Sequence, residues 1–451
     1  MLQKGIPYGP NPVIAQVQIL CDRHEFVECL AYIEEHLEEL ESEEQGELYL
    51  IRAQIKIFTG DQTILDDLKA AKKLLPGGAA LPGGGTLPAA GTGYISDTSN
   101  LFIVFSARPG SVSRFKVALQ KSIPLFQKLC GDACAFLAMA MEADILYHTG
   151  HIEKALSIAA PVYSALVEAN QYYMAMVVGF ILIRCHIAQG NPKKTEQVIA
   201  QLAKYSRILS KPRLKEVYKT VQGWINCTTG YMGAYPRFLR TPDGLEHCVL
   251  DLRTQMMLAD ITERGHLEGA VVRCARHSIS DAFAVKELYA NLYNAMLLFQ
   301  LGKREGAVAL FYEQYMKTQK NRVIMAFAEY GKQILPLLQY ALGRPDGDRF
   351  ARRWSDKLNQ MATQYEESLC VIRGEQKTAN IIDAFTDLEI DVLRGLTNNL
   401  TISQTAELVH ISADETKEHI RSIYRKLGVH NRTEAVAKAI GAHIITPADA
   451  L

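Results

Sequence analysis

The chain has 451 residues, and its 49 Lys and Arg balance its 49 Asp and Glu, so it carries no net charge. This length provides enough material for two or three domains with their own cores. The neutral balance gives no charge-based reason to expect a nucleic-acid or membrane partner for the chain as a whole. No apolar run approaches the roughly 18 residues that a membrane-spanning helix needs, and the N-terminus lacks the apolar segment of a signal peptide. We therefore expect a cytoplasmic protein without membrane association.

Reactive side chains form no pattern that predicts catalysis. The nine cysteines are odd in number and scattered along the chain, which favours a reducing compartment over a disulfide framework. Cys130 and Cys134 lack a second pair of ligands nearby, so no metal site is predicted. No spacing gathers His and carboxylate partners beyond chance, so we predict neither an enzyme nor a bound cofactor.

The first 75 residues predict helices. Apolar and acidic residues recur at helical spacing between Val13 and Leu40, and a second helical pair follows with Gly60 inside it. The next stretch, PGGAALPGGGTLPAAGTG at residues 76–93, holds too much Gly and Pro for a helix and predicts a mobile loop. Its glycines are not followed by the Lys-Ser or Lys-Thr of a phosphate-binding loop, so no nucleotide site is predicted there.

Helical hairpins are predicted between Ser113 and Arg373. A glycine recurs there at intervals of 35 to 41 residues, at Gly150, Gly190, Gly230, Gly265, Gly302 and Gly343. Three of these glycines are followed by alanine five residues later. Glycine permits a tight turn between two helices, and alanine lets the second helix approach the first.

These copies resemble tetratricopeptide repeats. The resemblance implies a solenoid of stacked helical hairpins over residues 1–373, with an extended concave surface that binds a partner. An irregular helical bundle, in which the glycines only end helices, is the alternative. The fold class predicted for the whole chain is all-α.

Residues 385–446, called the head below, predict a small four-helix domain that follows a short polar linker at 374–384. Four capping side chains stand three residues before Glu or Gln, in the pairs Thr386 and Glu389, Thr401 and Gln404, Ser412 and Glu415, and Asn431 and Glu434. Each pair can satisfy N–H groups at a helix start. Only a few residues join the second and third helices, as in a helix-turn-helix, whose later helix enters the DNA major groove.

The third predicted helix has one apolar and one charged side. An inward stripe is formed by Thr416, Ile420, Ile423 and Leu427, and Gly428 is predicted to end the helix. The opposite side carries Lys417, Glu418, Arg421 and Arg425. Cations placed together in this way can contact phosphates and base edges.

The head resembles the LuxR-type helix-turn-helix of bacterial transcription factors. The resemblance covers about 55 residues and rests on the stretches DLEIDVLRGL, IYRKLG and NRTEAV. In that family the residues that match Lys417, Glu418 and Arg421 typically face the bases, and the fourth helix commonly mediates dimer contacts. The predicted DNA-contacting residues are Lys417, Glu418, Arg421, Arg425, Lys426, Thr401, Arg432 and Thr433.

The head also departs from the family pattern. Thr405 and Thr416 stand where the family is apolar, and Asn399 and His410 stand where it usually has glycine. Residues 381–446 hold seven Lys and Arg against nine Asp and Glu, an acidic excess that opposes binding to phosphates. A protein-interaction adaptor whose degenerate head no longer binds DNA is therefore the alternative to a DNA-binding protein.

A repeat array followed by a LuxR-type head resembles the C-terminal half of MalT-like regulators, which sense a ligand and activate transcription. The chain lacks the phosphate loop of their ATPase module, so an ATP-driven switch is not expected. The resemblance implies a bacterial transcriptional regulator that receives a small-molecule or protein effector on its repeats and binds double-stranded promoter DNA. RNA polymerase is a further expected partner. A homodimer on DNA is expected through an apolar edge of the fourth helix, at Ala435, Val436, Ala439 and Ile440.

Overall fold

The computed structural model describes residues 11–22, 26–75, 106–108, 110–208, 212–229, 283–383, 385–398 and 400–441. The chain divides into two compact units, one of residues 1–230 and 235–369 and one of residues 231–234 and 370–451. The described part is almost entirely helical, which confirms the predicted all-α class. The predicted loop at 76–93 and the turns at Gly230 and Gly265 lie outside the described residues.

Four helices form the start of the first unit: α1 (Pro12–Asp22), α2 (Phe26–His36), α3 (Ser42–Thr59) and α4 (Ile64–Leu74). A short 3-10 turn follows α2 at Leu37–Glu39. The chain reverses between α3 and α4 at Gly60, whose φ of 65° is left-handed, and the two helices pack against each other. The helical pair predicted around Gly60 is confirmed.

Among the described residues 110–229, six helices begin at intervals of 20 residues: α5 (Val112–Cys130), α6 (Asp132–His148), α7 (Ile152–Glu168), α8 (Tyr172–Ala188), α9 (Pro192–Ile208) and α10 (Pro212–Thr229). Each packs against its neighbour in the chain. Another pair, α11 (Val285–Gln300) and α12 (Arg304–Gln319), packs in the same way. The described segments therefore contain helical hairpins of the predicted kind, while the concave solenoid surface stays a prediction.

The same backbone turn joins several of these helices. Gly150, Gly190 and Gly302 have φ of 79°, 62° and 78°, and the N–H of the following residue donates to the carbonyl five residues earlier in each case, at 2.8 to 2.9 Å. Asn170 adopts φ of 56° in an equivalent turn. Gly343 also ends a helix, but its φ of −77° shows that it lacks this left-handed turn.

The other described residues of the first unit are less regular. They contain α13 (Met325–Ala328), α14 (Leu335–Leu342) and the first part of α15 (Arg352–Asp383), with 3-10 turns at Gly331–Gln333 and Gly347–Arg349. Strands β1 (Ser106–Ala107) and β2 (Phe283–Ala284) form a two-residue antiparallel pair. Helix α15 continues through 374–383, which we expected to be a linker without helical pattern.

A charged cluster is buried in the helical core of the first unit. The Arg184 guanidinium donates to the Asp144 carboxylate at 2.5 Å and to His148 Nε2 at 3.1 Å, and all three side chains are essentially inaccessible to solvent. Burial and the neighbouring Arg184 hold the pKa of His148 well below its usual value, so the imidazole is neutral and accepts this bond. These contacts join α6 to α8.

The head contains α16 (Asp387–Thr397), α17 (Ile402–Leu408), α18 (Ala413–Leu427) and α19 (Arg432–Gly441), as the capping pattern predicted. Its core is built from Phe385, Val392, Leu393, Leu396, Ile423, Leu427, Ala435 and Ala439. No helix in the described part of the chain combines the length and the apolar character needed to cross a membrane.

Candidate DNA interface

Reciprocal hydrogen bonds start three of the four head helices. The Glu389 N–H donates to Thr386 Oγ1 at 3.2 Å, and the Thr386 N–H donates to the Glu389 carboxylate at 2.8 Å. The same two bonds are 3.3 and 2.9 Å long at Thr401, and 3.2 and 2.9 Å at Ser412. The predicted capping boxes of α16, α17 and α18 are confirmed, and they set where each helix begins.

The fourth helix starts in a related way. Asn431 Oδ1 accepts from the Glu434 N–H at 2.9 Å, as predicted. The Glu434 carboxylate, however, accepts from the N–H of His430 at 3.1 Å, one residue before the expected position. The start of α19 is therefore capped from both sides, with the return bond shifted by one residue.

The two buried threonines of the head retain hydrogen-bond partners. Thr405 Oγ1 donates to the carbonyl of Thr401 at 3.0 Å, and Thr416 Oγ1 donates to the carbonyl of Ser412 at 2.9 Å. A Cβ at Gly395 would lie 2.7 Å from Thr405 Cγ2, so α16 and α17 approach closely at this point. The departures from an apolar pattern thus do not leave unpaired hydroxyl groups in the core.

Helix α18 presents one charged face to solvent. Thr416, Ile423 and Leu427 are buried as predicted, and Ile420 is half-buried. The side chains of Lys417, Glu418, Arg421 and Arg425 are exposed on the opposite side, and these four residues are called the α18 face below. Residues 417, 421 and 425 follow one another at one-turn spacing, so their charged ends can reach neighbouring positions on a duplex.

A carboxylate next to the α18 face was missed by the sequence interpretation. Lys417 Nζ contacts Asp414 Oδ1 at 2.9 Å, and this hydrogen bond holds the pKa of Asp414 below its usual value. The Glu415 pKa is also lowered, because its carboxylate accepts from the N–H and hydroxyl of Ser412. Both carboxylates are charged at neutral pH, while Arg421 and Arg425 form no ion pair within the described residues.

Lys426 is engaged inside the head. Its Nζ lies 2.5 Å from Glu389 Oε2 and 5.5 Å from the ring centre of Phe385. Glu389 also accepts from Ser422 Oγ at 2.7 Å. Lys426 has a structural role, because its ammonium group neutralises a carboxylate that is itself almost fully buried. Its contact with DNA stays a prediction.

Arg432 is engaged inside the head as well. Its guanidinium donates to the carbonyl of Leu396 at 2.9 Å and to that of Leu400 at 3.1 Å. These carbonyls lie at and just beyond the C-terminal end of α16, where backbone acceptors lack partners within the helix. Arg432 therefore connects α19 to the end of α16, and its contact with DNA stays a prediction.

Two further predicted contacts lie at the starts of other helices. Thr401 is exposed and caps α17 through the Gln404 N–H. Thr433 is exposed in the first turn of α19. Both stand where N–H groups point out of a helix, a position suited to phosphate contacts.

The apolar edge expected to pair two heads is largely internal. Ala435 and Ala439 are fully buried in the core of the head, and Val436 packs against that core. The side chain of Ile440 lies outside the described residues. The edge packs within its own domain because α19 needs an apolar side to pack on α16 and α18.

The family comparison agrees with this geometry. The model described as "Bacterial regulatory proteins, luxR family" matches residues 383–439. These residues form a LuxR-family helix-turn-helix domain. The resemblance derived from the capping and recognition stretches is thereby confirmed for the head.

A similar curated protein points to the same domain. The LuxR-type domain is 43% identical over 56 residues to the "Nitrate/nitrite response regulator protein homolog" of Haemophilus influenzae. The match covers 12% of this chain and 27% of that relative. Both findings concern the LuxR-type domain, which belongs to a family of bacterial regulatory proteins.

Proposed function

We propose that the protein is a bacterial transcriptional regulator whose LuxR-type domain binds promoter DNA through the α18 face. The exposed positions of Lys417, Arg421 and Arg425 on one side of a helix carry this proposal. Lys417 and Arg421 are suited to guanine acceptors, and Glu418 can accept from the cytosine amino group. Thr401 and Thr433 supply phosphate contacts at two helix starts.

The carboxylates near the α18 face favour an interface with few DNA contacts. Glu418, Asp414 and Glu415 lie on or beside the α18 face and repel phosphates, so affinity depends on well-placed cations more than on the total charge. Lys426 and Arg432 are assigned secondary contacts in this proposal, because their side chains already bind partners inside the head. We infer that the domain makes a few specific contacts to bases and few contacts to the DNA backbone.

The helical first unit is proposed to receive the signal. Its packed hairpins offer surface for a small-molecule or protein effector, and the bound effector changes the affinity of the LuxR-type domain for DNA. RNA polymerase is the partner expected at the promoter. No catalytic step is included in this proposal.

Fluorescence anisotropy with the full-length protein tests the DNA contact. An operator selected from pooled genomic fragments is titrated beside a scrambled duplex at two salt concentrations. Arg421→Ala should lose roughly 1–3 kcal/mol of specific binding and relax the preference at one base position. Glu418→Ala should raise non-specific affinity, because a repulsive charge is removed, and reduce discrimination at one C·G pair.

Arg394→Ala is the matched control, because Arg394 is an exposed arginine of the same domain that contacts Asp391 at 2.8 Å on α16. It should leave base preference unchanged. The adaptor alternative predicts no salt-dependent binding to any fragment, even at low salt. Equal specificity in Arg421→Ala and the unsubstituted protein would remove the base-reading role from the α18 face.

A further inference from the structure

Two cavities in the first unit share part of their lining. The first, about 450 Å³, is lined among others by His151, Gln189, Lys357 and Gln364. The second, about 430 Å³, is lined among others by His151, Arg322 and Lys357. Both volumes suit a small molecule. Because His151 and Lys357 line both cavities, the two adjoin and are treated below as one two-part cleft.

The cleft forms where three segments converge. The turn after α6 places a left-handed glycine, Gly150, against α15, and a Cβ there would lie 2.7 Å from Met361 Cε. The N–H of Ile324 donates to the carbonyl of His148 at 2.9 Å, which holds the segment after α12 beside the same turn. These contacts make the walls of the cleft part of the packed fold, so the cleft does not depend on an irregular loop.

Cations gather around this cleft. They are Lys116, Lys154, Arg322, Arg353 and Lys357, which lie around His151, and we call them the cation cluster. Burial and the neighbouring cations lower the pKa of both His151 and Lys357. Lys357 Nζ approaches the carbonyl of Thr149 at 3.5 Å, and none of the lysines and arginines of the cluster forms an ion pair within the described residues. Glu153 lines the first cavity.

Arg322, Arg353 and Lys357 are exposed, and their arrangement favours the binding of an anion. Arg353 and Lys357 are one turn apart on α15, where two like charges repel. Arg322 is held at φ of 58°, an uncommon conformation for a non-glycine residue. A phosphate placed among these side chains would neutralise several charges at once, and guanidinium groups can bind it through two parallel hydrogen bonds.

The two cavities differ in the rest of their lining. Trp354 and Tyr315 line the second cavity, together with Arg322 and Arg353. The buried indole N–H of Trp354 has no acceptor among the described residues. Gln189, Gln360 and Gln364 line the other cavity. Amide side chains can both donate to and accept from hydroxyl groups. The cleft therefore combines a part suited to a phosphate with a part suited to the hydroxyl groups of a ligand.

We propose that the cleft binds a small phosphorylated metabolite, with its phosphate among Arg322, Arg353 and Lys357 and its hydroxyl-bearing body against the three glutamines. The proposal names the chemical class of the effector, and it rests on the proposed regulatory function for the consequence of binding. Binding itself requires only the cleft.

The fluorescence of Trp354 provides the test. The chain has two tryptophans, so Trp224→Phe in the full-length protein leaves Trp354 as the single tryptophan. This variant is titrated with glucose 6-phosphate, AMP and inorganic phosphate, and with glucose as the uncharged control. We expect a saturable change in emission with a phosphorylated compound and none with glucose. Calorimetry on the unsubstituted protein should return the same affinity.

Three further variants locate the site. Arg322→Gln and Arg353→Gln should each weaken binding on the order of 10- to 100-fold, because a charged hydrogen bond is lost. Both should change the melting temperature without ligand only slightly, because solvent screens exposed charges. Arg352→Gln removes one positive charge from α15, the helix of Arg353, at a side chain that is 96% exposed and lies near Asp356. It should change neither the affinity nor the melting temperature.

Several outcomes would overturn the proposal. They are the absence of a saturable response to all three phosphate probes, equal binding of glucose, and equal weakening in Arg352→Gln. Because the ligand titrations contain no DNA, a negative result in them would not contradict the proposed DNA contact. Loss of DNA binding in Arg421→Ala would likewise leave the ligand proposal standing.

Discussion

At the scale of single residues, His410 shows how the head departs from its family. It lies between α17 and α18 with φ of 55°, at a position where LuxR-type domains usually have glycine. A left-handed residue other than glycine costs about 1–2 kcal/mol. Glycine loses about 0.5–1 kcal/mol more backbone entropy on folding than other residues. We therefore expect His410→Gly to stabilise the head by about 0.5–1 kcal/mol.

Amide hydrogen exchange of peptides from residues 385–441 measures this change in the full-length protein, because it reports the head separately from the first unit. Slower exchange in α17 and α18 is expected. Faster exchange there would mean that the imidazole stabilises the turn by more than its backbone conformation costs.

The contacts of Glu389 predict that the stability of the head depends on pH. Although burial of the carboxylate opposes its ionisation, hydrogen bonds from Lys426, the Thr386 N–H and Ser422 bring its pKa below the usual value. Stability from this group is present above the unfolded-state pKa of about 4.3, and it is lost as pH falls through the folded-state pKa. Glu389→Gln should destabilise the head at neutral pH and make it less sensitive to acid.

Hydrogen exchange of α16 and α18, corrected for the intrinsic rate at each pH, measures both effects. The exposed pair of Arg394 and Asp391 supplies the control, since Asp391→Asn should have little effect at any pH. An equal loss of protection at acidic pH in Glu389→Gln and the unsubstituted protein would contradict the linkage.

At the scale of helices, the buried ion pair between α6 and α8 gives a large expected effect. Asp144→Asn leaves the Arg184 guanidinium in the core without its counter-charge, which should cost about 3–5 kcal/mol of unfolding free energy. Urea unfolding followed by tryptophan fluorescence reports this unit, because Trp224 packs on Phe180 of α8. Replacing both partners by apolar residues, Asp144→Leu with Arg184→Met, should recover part of the loss.

The exposed pair of Asp66 and Lys69, 3.5 Å apart, is the matched comparison for Asp144→Asn. Asp66→Asn should change the free energy of unfolding by less than about 1 kcal/mol, because solvent screens exposed ion pairs. Similar effects of the two substitutions would show that Arg184 finds another partner.

Helix starts and turns were the features that local sequence predicted best. The capping boxes of the head and the glycine turns at Gly150, Gly190 and Gly302 depend on residues within one turn of each other, so their chemistry is visible in the sequence. The turn at Asn170 was missed, because asparagine adopts the left-handed conformation less often than glycine and carries no unique signal.

Contacts between distant segments could not be predicted in this way. Lys426 and Arg432 were assigned to DNA because a cation in a helix carries no mark of its partner, and their partners lie 30 or more residues away in sequence. The cation cluster is also invisible in the sequence, since its members come from four separate segments. Local pattern therefore predicted the exposed charged side of α18 and missed the internal partners of Lys426 and Arg432.

At the scale of the whole molecule, the burial of Ala435 and Ala439 changes where a dimer would form. Pairing of two heads on a palindromic site must use the exposed side of α19 or another surface. We expect two chains per symmetric operator in sedimentation of the full-length protein with DNA. Ala437→Arg, at an exposed position of α19, should weaken that pairing if the helix mediates it.

One chain per site on DNA without dyad symmetry would contradict the dimer. Lys438→Ala, also exposed on α19, serves as the control for a general effect of charge on DNA affinity. Retention of two chains per operator in Ala437→Arg would instead place the pairing surface elsewhere in the chain.

The even spacing of helices α5 to α10 bears on the order of folding events. Contacts between consecutive helices are close in sequence and therefore form quickly. The hydrogen bond from Tyr147 to Glu329 spans 182 residues, so its formation must overcome a larger loop-closure entropy. In refolding followed by pulsed hydrogen exchange, α6 and α7 should gain protection before the segment around Glu329. The cleft should form last, because its lining combines segments as distant in sequence as Gly150 and Lys357.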